Sequence, residues 1–121
     1  MIGLASASLK IYVALEASDM RKSFNGLYDI VCQQFDDTRL TREALFVFTN
    51  KRRNRIKLLY WDGTGLWVAA KRLEKGRFSW PRPSRTGQKK LKLDPQALQL
   101  ILDGIDLRGA TMRPWYERDG D

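Results

Sequence analysis

The stretch LFVFTNKRRNRIKLLYWDGTGLWVAAKRLEKGRFSW, residues 45–80, decides the fold. Within it, residues 45–49, 55–61, 66–70 and 77–80 are short runs rich in β-branched and aromatic side chains, parted by breaks that carry Asn, Asp and Gly. Runs punctuated in this way predict the strands of an antiparallel meander. The break Asp62-Gly63-Thr64-Gly65 lies between nearly continuous apolar runs. It predicts a tight hairpin with at least one glycine at positive φ and with both faces buried. The other breaks hold charge. Lys51, Arg52 and Arg53 stand in a row between Asn50 and Asn54, and Lys71, Arg72, Lys75 and Arg77 surround Gly76.

On the N-terminal side, Lys10 and Tyr12 alternate with Ile11 and Val13 across residues 9–15, a period-two pattern that predicts a strand at the edge of the sheet. The period then changes. Met20, Phe24, Leu27, Tyr28, Val31 and Phe35 fall three or four residues apart, which predicts an amphipathic helix over 20–35 with Asp19 or Ser18 as its N-cap. Gly26 weakens such a helix by about 1 kcal/mol relative to alanine, so close packing or a break is expected there. The lone cysteine, Cys32, adjoins the apolar stripe and reads as packed rather than reactive.

On the C-terminal side, PRPSRTGQ at 81–88 reads as an extended, mobile loop that presents Arg82 and Arg85 to a partner. Lys89, Leu91 and Leu93 alternate around Lys90 and Lys92 as a short half-buried strand. Asp94 before Pro95 is a strong helix start, Leu98, Ile101, Leu102 and Ile105 form the buried stripe, and Gly104 ends the helix. The expected class is α+β: an antiparallel β-meander sheet over 45–93 covered by helices at 20–35 and 95–103. One domain is expected over residues 1–108, with a polar, partly disordered tail at 109–121 that carries Trp115 and Tyr116.

The charge is one-sided along the chain. Of the 22 Lys and Arg, 14 lie between Lys51 and Lys92 against two acids, Asp62 and Glu74, while the other 79 residues hold 8 bases and 12 acids. That asymmetry is the footprint of a surface that meets a polyanion. No apolar run reaches the roughly 18 residues of a membrane span, and the N-terminus lacks the pattern of a signal peptide, so a cytoplasmic location is expected. A single cysteine forms no internal disulfide and fits a reducing compartment.

Catalytic signals are weak. Histidine is absent, and no phosphate-cradling glycine loop or zinc spacing replaces it. Asp36, Asp37, Asp62 and Glu74 are the carboxylates a metal nuclease would need, yet adjacent acids after a helix and an Asp before Gly are ordinary turn residues. No enzyme activity, metal or cofactor is expected. Tyr60, Trp61 and Trp67 are read as core rather than as a platform for stacking unpaired bases.

MIGL at 1–4, DMRKSFNGL at 19–27, LFVF at 45–48, RIKLLYWDGTGL at 55–66, KRLEKGRFSWP at 71–81 and ILDGID at 101–106 carry a resemblance that spans nearly the whole chain. The chain resembles the small accessory protein encoded by the second open reading frame of the insertion-sequence-sixty-six family of bacterial transposable elements. It departs from that pattern at Ser23, where such proteins commonly have glycine, and at Asn25, where they commonly have aspartate. Neither position touches the basic block. The resemblance implies a part in transposition beside a separately encoded transposase, which supplies the acidic catalytic residues. It brings no agreed binding residues, so the site is read from the residues themselves. The expectation is a non-catalytic factor that contacts DNA phosphates through Lys51, Arg52, Arg53, Arg55, Lys71, Arg72, Lys75, Arg77, Arg82 and Arg85. The alternative is an adaptor that binds the transposase or the element's other accessory protein, with the aromatic residues as anchors.

Overall fold

Six consecutive buried residues, ALFVFT at Ala44–Thr49, mark a strand covered on both faces. In the computed structural model, which describes residues 9–34 and 44–104, this strand is the centre of a five-stranded sheet. In chain order the elements are β1 (Lys10–Ala14), α1 (Phe24–Gln34), β2 (Ala44–Thr49), β3 (Arg55–Trp61), β4 (Leu66–Arg72), β5 (Lys90–Leu93) and α2 (Pro95–Leu102). The spatial order is β4-β3-β2-β1-β5.

The class is α+β, and the expectation of a purely antiparallel meander is corrected. β2, β3 and β4 do form an antiparallel meander, and β5 is antiparallel to β1, but β1 pairs with β2 in parallel, with Ile11 opposite Leu45 and Val13 opposite Val47. The cause is the connection. A helix between β1 and β2 returns the chain to the end from which β1 started, so β2 runs in the same direction. β1 is therefore interior, flanked by β2 and β5, and not the expected edge.

Each face of the sheet has its own cover. Ile11, Val13, Leu45, Val47, Ile56, Leu58, Leu91 and Leu93 pack against Ala97, Leu98 and Ile101 of α2 and against Phe78 and Trp80. On the opposite face, Phe46, Phe48 and Leu59 meet Leu27, Ile30 and Val31 of α1. Burial of each large side chain contributes about 1.5–3 kcal/mol. Residues 77–80, expected to be a strand, make no ladder. They run as part of the β4–β5 crossover, where Phe78 and Trp80 plug the core at 2% and 5% exposure.

The helices begin where local chemistry allows. Asp94 accepts from Gln96 N at 3.2 Å with Pro95 behind it, and α2 ends at Gly104, whose φ is 75° and whose N–H donates to Ile101 O at 2.9 Å. α1 begins later than its periodicity implies. Asp19 turns its carboxylate to Arg21, and the carbonyl of Ser23 accepts the first helical hydrogen bond from Leu27 at 2.8 Å. Gly26 shows why glycine stands there: a Cβ would lie 2.9 Å from Lys22 Cβ. Phe35, Asp36, Asp37, Ile105 and the tail at 109–121 lie outside the described residues.

The hairpin over Asp62 is present, with Gly63 at φ 99°. Its second strand is not buried on both faces, because β4 is the sheet's edge and most of its residues stay exposed. Among the described residues, no helix is long and apolar enough to cross a membrane.

Candidate nucleic-acid interface

The strand directions gather the basic segments. Register places the C-terminal ends of β1, β2 and β4 beside the N-terminal ends of β3 and β5. The connections at 15–23, 50–54 and 73–89 therefore all emerge at one end of the sheet.

Asn50 organises the β2–β3 turn. Its Oδ1 accepts from Asn54 N at 3.1 Å and Arg55 N at 3.2 Å, and its Nδ2 donates to Asn54 Oδ1 at 2.7 Å. The turn forces Arg53 to φ 56°, a left-handed conformation costly for a residue with a Cβ. Lys51 and Arg52 stand exposed on its tip.

The crossover is laced to this turn. Leu73 N donates to Asn54 O at 2.8 Å, and Phe78 N donates to Arg53 O at 2.6 Å. Lys75 and Arg77 are thereby held beside Lys51, Arg52 and Arg53. Further on, Trp80 Nε1 donates to Ala14 O at 3.1 Å, and Leu15 N donates to Lys89 O at 2.9 Å, which keeps residues 81–89 at the same end. The 81–88 segment is not simply extended, as its composition suggests. Gln88 Oε1 accepts from Ser84 N at 2.7 Å and closes a turn that presents Arg85.

Electrostatics agree with this placement. Partial burial pushes the Arg53 guanidinium below its usual pKa, and the charges of Arg82 and Arg77 push it the same way. Three cations from two segments thus share one field. Acids are few here and weakly placed: Asp19 is taken by Arg21 at 2.9 Å, which holds its carboxyl at about 2, and Glu74 lies 3.8 Å from Arg72. Among the described residues, Lys51, Arg52, Arg53, Arg55, Lys75, Arg77, Arg82 and Arg85 have no acid within ion-pair distance.

Two of the ten expected contacts differ in kind. Lys71 faces α2 and donates its ammonium to Leu102 O at 2.6 Å, where it neutralises the negative end of that helix. Arg72 belongs to β4 and stands directly opposite Arg55 of β3. Sequence reasoning passed over Lys57, which shares the Arg55 face and donates to Lys22 O at 2.7 Å. Its alternation with Ile56 and Leu58 was the available signal.

The aromatic residues lie elsewhere. Tyr60 and Trp61 are half-buried at the other end of β3, and Trp67 of β4 is 50% exposed, which corrects the expectation that it is core. Its indole Nε1 donates to Asp62 Oδ2 at 2.8 Å. Asp62 also accepts from Thr64 N, Thr64 Oγ1 and Gly65 N, and these bonds press its pKa far below the usual carboxylate range. That carboxylate is spent on the turn, at the end of the sheet opposite Glu74.

The family model described as IS66 Orf2 like protein matches residues 9–112. An uncharacterized protein of Sinorhizobium fredii, y4jC, is 34% identical over 114 residues, covering 94% of this chain and 93% of that protein. A second from the same organism, y4hO, is 33% identical over 109 residues, covering 88% and 91%. No solved structure matches the chain.

Proposed function

The chain belongs to the IS66 Orf2-like family, and on that premise we propose that it is a non-catalytic accessory factor of transposition that binds duplex DNA through the basic end of its sheet. One observation carries the reading. Two hydrogen bonds, Leu73 N to Asn54 O and Phe78 N to Arg53 O, join the β2–β3 turn to the crossover, so that cations distant in sequence form one surface. Lys51, Arg52, Arg53, Arg55, Lys75, Arg77, Arg82 and Arg85 follow the phosphate backbone, and Arg72 adds to it from β4. Contacts of this kind position a protein without reading sequence. The work takes place in the bacterial cytoplasm, where element DNA and a separately encoded transposase meet. A catalytic part for Asp62 is disfavoured by the four hydrogen bonds that already occupy it.

The test is duplex affinity at several salt concentrations. If about six side chains neutralise phosphates, log affinity falls against log salt with a slope of roughly −5, and each cation removed reduces that slope by about 1. Element-end and random duplexes respond alike. A flat dependence removes the proposal.

A second reading has its own observation. Trp67 is half exposed on the open edge strand β4, at the end opposite the cations, where it is available as an anchor for the transposase or the element's other accessory protein. An adaptor working there loses co-purification with its partner on Trp67→Ala and keeps its DNA affinity.

A further inference from the structure

Arg55 and Arg72 are cross-strand partners in the β3–β4 ladder, so their side chains leave the sheet on the same face. Like charges placed directly opposite one another on neighbouring strands repel. Lys57, two residues along, projects to this face as well, and its ammonium is fixed against Lys22 O at 2.7 Å. Between these cations and Met20 lies an open-sided cavity of about 410 Å³, which Ile56, Ala70 and Lys71 also line. Among the described residues, the acid paired to the group is Glu74, 3.8 Å from Arg72 and 87% exposed, a weak competitor.

We propose that this cavity is a binding pocket for a phosphate group, gripped by Arg55 and Arg72 together and backed by Lys57. Two guanidinium forks on adjacent strands suit the tetrahedral oxygens of a phosphate, and an anion between them turns their repulsion into attraction. Small Ala70 opposite Lys57 leaves the room, and the loop bearing Met20 closes one side. The inference rests on the DNA-binding reading and deepens it. The basic end tracks the backbone, and this pocket holds one particular phosphate, supplied either by an internal phosphodiester or by a 5′-terminal phosphate.

The deciding experiment titrates inorganic phosphate into the full chain against chloride of matched ionic strength, following arginine side-chain NMR signals and the unfolding midpoint. Phosphate should shift two arginine signals saturably and raise the midpoint, and both responses should vanish in Arg55→Gln and in Arg72→Gln. In chloride these variants should be no less stable than wild type, since each relieves a like-charge pair. A response to phosphate no greater than to chloride overturns the pocket. The source of the phosphate follows from duplexes with and without 5′-phosphates. Equal binding, lowered about tenfold or more for both by the Arg55→Gln/Arg72→Gln pair, identifies an internal phosphodiester. A preference for 5′-phosphate that disappears in the pair identifies the terminus. If Lys51→Ala/Arg52→Ala weakens DNA binding while the arginine pair does not, the pocket fails and the broader reading stands without Arg55 and Arg72. If neither weakens it, both fail.

Discussion

The backbone N–H of Phe78 donates to the carbonyl of Arg53 at 2.6 Å, and this bond ties the packing of the core to the shape of the basic surface. Phe78 is 2% exposed against the sheet, while Arg53, on the other side of the same hydrogen bond, is held at φ 56° among the arginines. Hydrophobic burial thus fixes where the cations stand.

Phe78→Ala should cost about 3–5 kcal/mol, the range for truncating a buried aromatic. Urea denaturation measures it. A loss under about 1 kcal/mol would mean that the crossover does not plug the core.

Arg53→Gly separates strain from charge. Glycine adopts φ 56° freely, so stability should hold or rise by up to about 1 kcal/mol, offset in part by the entropy of the freer unfolded chain. Duplex affinity should fall nonetheless. Unchanged affinity alongside unchanged stability would remove Arg53 from the interface.

Asn50→Ala strips the β2–β3 turn of the bonds to Asn54 and Arg55. A cost of about 1–2 kcal/mol is expected in chemical denaturation. Affinity for DNA should weaken too, although no charge is lost, because the turn that presents Lys51 and Arg52 loosens. Full affinity in this variant would show that turn geometry is irrelevant to binding.

Asp62 predicts an acid dependence. Its folded-state pKa is depressed by hydrogen bonds from Thr64, Trp67 and Gly65, so its stabilising contribution is fully present above its unfolded pKa of about 3.9 and is lost as pH falls through the lower folded value. The difference in urea midpoint between wild type and Asp62→Ala should be constant from pH 7 to pH 5 and shrink below about pH 4. Trp67 fluorescence in the folded protein, through the indole bond to Asp62, should stay unchanged near pH 4 and respond only at the lower, folded value. A gap that does not change with pH would mean that the carboxylate's charge contributes nothing.

The amino-acid sequence by itself determined the local elements and the charge. Asp94-Pro95 fixes the start of α2, Asp62-Gly63 fixes the β3–β4 turn, and the β-branched and aromatic run at 45–49 fixes a strand, because capping, left-handed glycine and strand propensity act within a few residues of chain. The polarity of charge is equally local. Tertiary structure alone decided how the elements pair. The parallel β1–β2 register, β4 as the open edge, the exposure of Trp67 and the departure of residues 77–80 from any ladder depend on which strands neighbour which, and periodicity carries no record of neighbours. The same holds for the site. Lys51, Arg52 and Arg53 are adjacent in sequence, but Arg82 and Arg77 join Arg53 only because the crossover is hydrogen-bonded back to the turn, and Arg55 meets Arg72 only because the β3–β4 register puts them opposite.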